Sequence, residues 1–164
     1  MLGRARAKVS SAFNVTPFAC MHMEGWEVYS DGVTQTLTEE GLHLRTEAGT
    51  SLISLTKTHD VHLLIRDQTV WRKIRFELQF KPLFASSDGW VPTYYIGDNP
   101  EPSHSDFTTS VIGLPDAQGW YVTSGAREFA PNDQTRKTGV FVGWRVPEDE
   151  VFEFLVFSIG MFSD

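Results

Sequence analysis

Cys20 is the one cysteine in this chain, so no internal disulfide can staple the fold. No run of 18 apolar residues exists, and no segment reads as a membrane-spanning helix. A secretory leader is not recognisable either. The basic start runs into VSSAFNVTPFACM, where polar residues and Pro17 interrupt any apolar core. Without a leader the Asn14-Val15-Thr16 glycosylation pattern carries little weight, and location stays open. Basic charge is also scarce: 14 Lys and Arg face 21 Asp and Glu, for a formal charge of −7. Nucleic-acid binders need cations against phosphate, so that class is excluded on balance. The last absence is helical. The best window, near residues 1–13, has no wide apolar stripe.

One local exception to the charge balance stands at the start. MLGRARAK carries Arg4, Arg6 and Lys8 and no acid; without these three cations the −7 becomes −10. Residues 1–12 are therefore read as a basic N-terminal arm and residues 13–164 as a single domain. The arm is either a solvated terminus or a segment that docks on an acidic partner or a neighbouring subunit.

What the chain does have is aromatic mass and period-two patterning. Aromatics make up 13% of it, with 12 Phe and 5 Trp, enough to build a core from rings. Lys73 to Phe80 alternates without a break: Ile74, Phe76, Leu78 and Phe80 on one side, Lys73, Arg75, Glu77 and Gln79 on the other. That is a strand with one buried face, which Pro82 helps to end. Leu42 and Leu44 share a face in GLHLRT, followed by a turn at Gly49. Val61, Leu63 and Ile65 form another set, and Val140, Val142, Trp144 and Val146 a fourth. Asp31-Gly32, between two β-rich runs, predicts a two-residue hairpin turn. EVFEFLVFSIGMF predicts a central strand buried on most of both faces. Many short strands separated by Gly, Pro and Asp turns give an all-β, antiparallel jelly-roll β-sandwich.

Four segments carry a further likeness: WEVYSDG, GLHLRT, WRKIRFELQFKP and EVFEFLVFSIGMF. Together they resemble the jelly-roll sandwiches of carbohydrate-binding modules and galactose-binding-like domains, over most of residues 24–162. The likeness is one of pattern, and the same roll builds lectin domains and virus or phage particle subunits. It implies a last strand that closes the sheet near the start of the domain, and a non-catalytic binding role.

The residues from Phe84 to Asp106 make a long connection, rich in Pro, Gly and Asp, with Trp90, Tyr94 and Tyr95 in it. The aromatics either cap one end of the core or form a platform for a sugar. A pyranose has a C–H face that suits a flat ring, and hydroxyls that suit Asp88, Asp98, Asn99 and His104. A second aromatic stretch holds Asp116, Trp120, Tyr121 and Arg127, with the same two readings open. Asp88, Asp98, Asn99 and Glu101 offer oxygens for a structural Ca²⁺, but without the spacing of a calcium loop. His59 and His62 would point to opposite faces of a strand, against a shared zinc. Ser103, His104 and Asp106 spell triad letters along the chain, which is not how triads meet. Glu77 and Glu153 on two strands are the nearest thing to a glycosidase pair. No cofactor is required by any of these patterns. The sequence expectation is a glycan-binding module, as a component of a larger particle such as a phage appendage or a homo-oligomer. The alternative is a virion-type assembly protein without glycan binding.

Overall fold

The structure is a computed structural model describing residues 12–57, 72–83, 93–97, 108–111, 114–129, 140–146 and 148–163. These residues form β1 (Ala12–Pro17), a 3₁₀ turn (Phe18–Cys20), β2 (Trp26–Val28), β3 (Val33–Thr38), β4 (Gly41–Thr46), β5 (Leu52–Lys57), β6 (Arg72–Pro82), β7 (Thr93–Gly97), β8 (Thr108–Val111), β9 (Tyr121–Phe129), β10 (Val140–Arg145) and β11 (Glu153–Ser163). The first sheet runs β3-β4-β11-β6-β9, with β1 also paired to β11; the second runs β2-β5-β10-β7-β8. Every pairing is antiparallel. The chain is an all-β sandwich, and its last strand lies against its first.

Alternation builds the core. Leu78 and Phe80 of β6 are buried while Glu77 between them is exposed. Leu42 and Leu44 of β4, and Val142 and Trp144 of β10, are likewise inward. Phe80 joins the two sheets: its ring lies 5.4 Å from Trp144 at 65°, 6.2 Å from Phe154, and 5.5 Å from Tyr121 in a near-parallel stack. Such ring pairs add a fraction of a kcal/mol to about 1.5 kcal/mol each beyond area burial. Trp26 closes one end. Its indole Nε1 donates to Thr16 Oγ1 at 3.2 Å, and the Thr16 hydroxyl donates to Glu24 Oε2 at 3.1 Å.

β11 is central, as its composition predicts, and it carries a bulge. Val156 pairs with Phe80 and Ser158 with Gln79, leaving Phe157 surplus to the ladder. The extra residue keeps both Val156 and Ile159 in the core, and Ser158 out of it. Strict alternation would have buried the serine.

The Asp31-Gly32 hairpin is corrected. β2 pairs with β5 in the second sheet, whereas β3 pairs with β4 in the first, so this turn carries the chain across the sandwich. The Asp-Gly pair sets only the local reversal; pairing is decided by the sheet that buries each strand. Gly32, at φ 71°, fits a spot where a Cβ would come within 2.6 Å of Thr50 Oγ1. The true hairpin joins β3 and β4 through Glu39 and Glu40, without a turn signal in its letters. Residues 61–65, expected as a strand, lie outside the described residues, as do Arg4, Arg6 and Lys8.

Candidate functional site

Of the residues singled out in the sequence, Asp88, Trp90, Asp98, Asn99 and His104 lie outside the described residues. The same holds for His59, His62, Glu101, Ser103 and Asp106. Tyr94 and Tyr95 sit in β7, at register with Trp144 and Gly143 of β10. Arg127 stands in β9 opposite Ile74. Trp120 and Tyr121, adjacent in the chain, part company.

Tyr121 turns inward. Its ring stacks on Phe80 at an interplanar angle of 14° and packs against the core, so its face is occupied. Trp120, one residue earlier, lies over the outer face of the first sheet. The loop before it fixes its backbone at both ends. Asp116 Oδ1 accepts the N–H groups of Gln118 and Trp120, each at 2.9 Å. The Asp116 N–H donates to the Trp120 carbonyl at 2.8 Å, and the Gly119 N–H to the Asp116 carbonyl at 3.0 Å. Asp116 is thus spent on holding the loop.

The indole then meets Phe157 edge to face, with centroids 5.9 Å apart, and the Lys81 ammonium lies 5.9 Å from its ring centre. The bulge explains the pairing: the residue left out of the β11 ladder is the one Trp120 rests on. Trp120 itself remains partly exposed. A ring held by a loop, a neighbour and a cation loses little freedom when a ligand stacks on it.

Registers extend this surface across the sheet. Lys81 and His43 both pair with Leu155, and Glu153 pairs with Arg45. Glu153 accepts from Arg45 at 2.8 Å through Oε1 and meets His43 Nε2 at 2.9 Å through Oε2. Its side chain is 14% exposed, whereas that of Arg45 is 58% exposed. The result is a surface with an aromatic ring and an ammonium at one side and a fixed carboxylate with its donors at the other. It can receive a flat, C–H-rich face and exchange hydrogen bonds with hydroxyls around it. Sequence reading did not find Lys81, Phe157, His43 or Arg45. Their outward positions follow from alternation, but their meeting depends on registers that no local pattern states.

Glu153 does not pair with Glu77 as a glycosidase would require. Glu77 stands opposite Gly160, and Glu153 lies seven positions back along β11. At about 3.3 Å per residue, with one residue lost to the bulge, the separation is roughly 20 Å. Retaining and inverting pairs stand about 5–10 Å apart. Among the described residues no group of three His, Cys, Asp or Glu side chains is placed to hold a metal ion.

No family model matches the chain, and no curated protein matches its sequence. Solved structures do resemble it. The CBM22-1 xylan-binding domain of Xyn10C from Paenibacillus barcinonensis superposes with a TM-score of 0.56 at 10% identity, over 96% of this chain and 97% of that one. The CBM22-2 xylan-binding domain of the same protein gives 0.50 at 8% identity, over 93% and 100%. Their tandem gives 0.54 at 9% identity, over 99% of this chain and 52% of the tandem. At such identities the likeness is one of fold: the chain is built as a β-sandwich of the carbohydrate-binding-module type.

Proposed function

We propose that this chain is a non-catalytic glycan-binding module, with one binding surface on the outer face of the first sheet around Trp120. The observation that carries this reading is Trp120 itself: a partly exposed indole whose backbone Asp116 pins, propped by Phe157 and flanked by Lys81. Burying so large a ring in the core would have been favourable, as it is for Trp26 and Trp144. Instead it stands at the surface in a fixed pose. Neighbours in fold that are named as xylan-binding domains support the same reading. Polysaccharide chains present the flat C–H faces and hydroxyl rims that Trp120, Lys81 and Glu153 complement. The reading assigns no catalytic step to any residue.

The test is titration of the purified protein against a broad polysaccharide panel, followed by tryptophan fluorescence with and without EDTA. Saturable binding is expected, weakened about tenfold or more in Trp120→Ala, or about 1.4 kcal/mol, with an unchanged circular dichroism spectrum. Equal affinity of Trp120→Ala, or no binding to any polysaccharide by the folded protein, rejects the assignment. EDTA sensitivity would reveal a Ca²⁺ contribution. Membership of a larger particle, or homo-oligomerisation through Arg4, Arg6 and Lys8, is a separate proposal. Mass in solution with and without residues 1–8 tests it.

A further inference from the structure

A shallow cleft of about 500 Å³, largely open to solvent, lies between the Asp31-Gly32 crossover and the turn after β4. Small-ligand sites fall in the range of about 300–1,000 Å³. Its lining includes Tyr29, Asp31, Glu47, Thr50 and Ser51. Its walls are set by backbone bonds that exist before any ligand arrives. The Glu47 N–H donates to the Gly32 carbonyl at 2.7 Å, and Thr50 Oγ1 donates to the same oxygen at 3.3 Å. The Gly49 N–H donates to the Glu148 carbonyl at 2.7 Å, and the Tyr29 N–H to the Ser54 carbonyl at 2.9 Å.

Into this fixed frame the chain places an aromatic ring that the core does not use: Tyr29 is 50% exposed. Asp31 and Glu47 both line the cleft, and among the described residues neither carboxylate is held by a hydrogen bond or an ion pair. Among the described residues no Lys, Arg or His lines it. A ring for a C–H face, two open acceptors for paired hydroxyls and an all-acidic rim describe a ligand that is polyhydroxylated, ring-shaped and not anionic.

We propose that this cleft is a second saccharide site, selective for neutral pyranosyl oligosaccharides over acidic ones. It rests on the glycan-binding reading and lies apart from Trp120. Glu47 follows β4 and Trp120 precedes β9, three strand spacings away, or about 14 Å at 4.8 Å each. One sugar ring cannot touch both, and because a hexaose is long enough to bridge them, the single-site variants Tyr29→Ala and Trp120→Ala are what read the two separately.

The experiment is a set of ¹H–¹⁵N titrations of the full chain with xylohexaose, cellohexaose and pentagalacturonate, following the Gly32, Gly49 and Thr50 amides and the Trp120 indole N–H. One of the neutral hexaoses is expected to move the cleft amides saturably, and pentagalacturonate to leave them in place. Tyr29→Ala should weaken the cleft response about tenfold while the Trp120 response persists. Tyr29→Phe should keep both, and Glu47→Gln, a milder surface change, should weaken the cleft alone. Silent cleft amides in every titration, or an equal response to pentagalacturonate, overturn the proposal. If the Trp120 indole responds while the cleft is silent, only the second site fails. If both are silent, the glycan-binding reading falls with it.

Discussion

Trp26 and Trp144 are both buried indoles, yet their N–H groups fare differently. Trp26 Nε1 has Thr16 as acceptor, whereas Trp144 Nε1 is buried without a hydrogen-bond partner among the described residues. An unpaired buried donor costs about 1–3 kcal/mol. Changing each to Phe removes the same ring volume, so the cavity contribution largely cancels in the comparison. Trp144→Phe is expected to cost about 1–2 kcal/mol less than Trp26→Phe in urea unfolding followed by circular dichroism. Equal costs would mean that Trp144 finds an acceptor in solution. At this same scale Trp120 and Tyr121 show where sequence reading stops. Adjacent aromatics at a loop-to-strand junction read as one candidate set; the pleat sends Tyr121 to Phe80 and Trp120 to Phe157.

Among elements, β4 is set closely against β11. Gly41 begins it at φ 140°, and a Cβ there would lie 2.5 Å from the Val156 carbonyl oxygen of β11. That oxygen is central-strand backbone and has nowhere to move. Gly41→Ala should therefore cost about 2–4 kcal/mol through steric displacement of β4. The denaturation midpoint measures it, and a change under 1 kcal/mol would show that β4 can shift freely. The strands themselves were legible: the period-two run at residues 73–80 is β6, and the apolar C-terminal run is the central β11. The bulge at Phe157 was not legible. A continuous apolar run reads the same with or without one extra residue, and only pairing with β6 exposes the surplus.

The whole molecule is held by a core to which both sheets contribute, in one cluster that includes Phe80, Phe154, Leu55 and Trp144. Removing Phe80 strips contacts from both sheets at once. Phe80→Ala is expected to cost about 3–5 kcal/mol. The loss of far-ultraviolet and near-ultraviolet circular dichroism should remain coincident, because neither sheet keeps a buried face without the other. Two separated transitions would show that one sheet persists alone. At this scale the Asp31-Gly32 turn is also instructive. Its letters promised a hairpin, and the sandwich used it as a bridge between sheets and as one wall of a cleft.

The amino-acid sequence by itself determined the all-β class, the inward faces of β4, β6 and β10, and the central place of β11. These follow from alternation and apolar content, which are local properties that burial enforces strand by strand. Tertiary structure decided which strands pair, which aromatics reach the surface, and that Lys81, Phe157, Arg45, His43 and Glu153 share a face with Trp120. It also brought Tyr29 and Asp31 to Glu47 across a turn-to-turn gap. Those outcomes depend on register and on the order of strands in each sheet, set by how all the buried faces fit together at once, and no short window of sequence contains that sum.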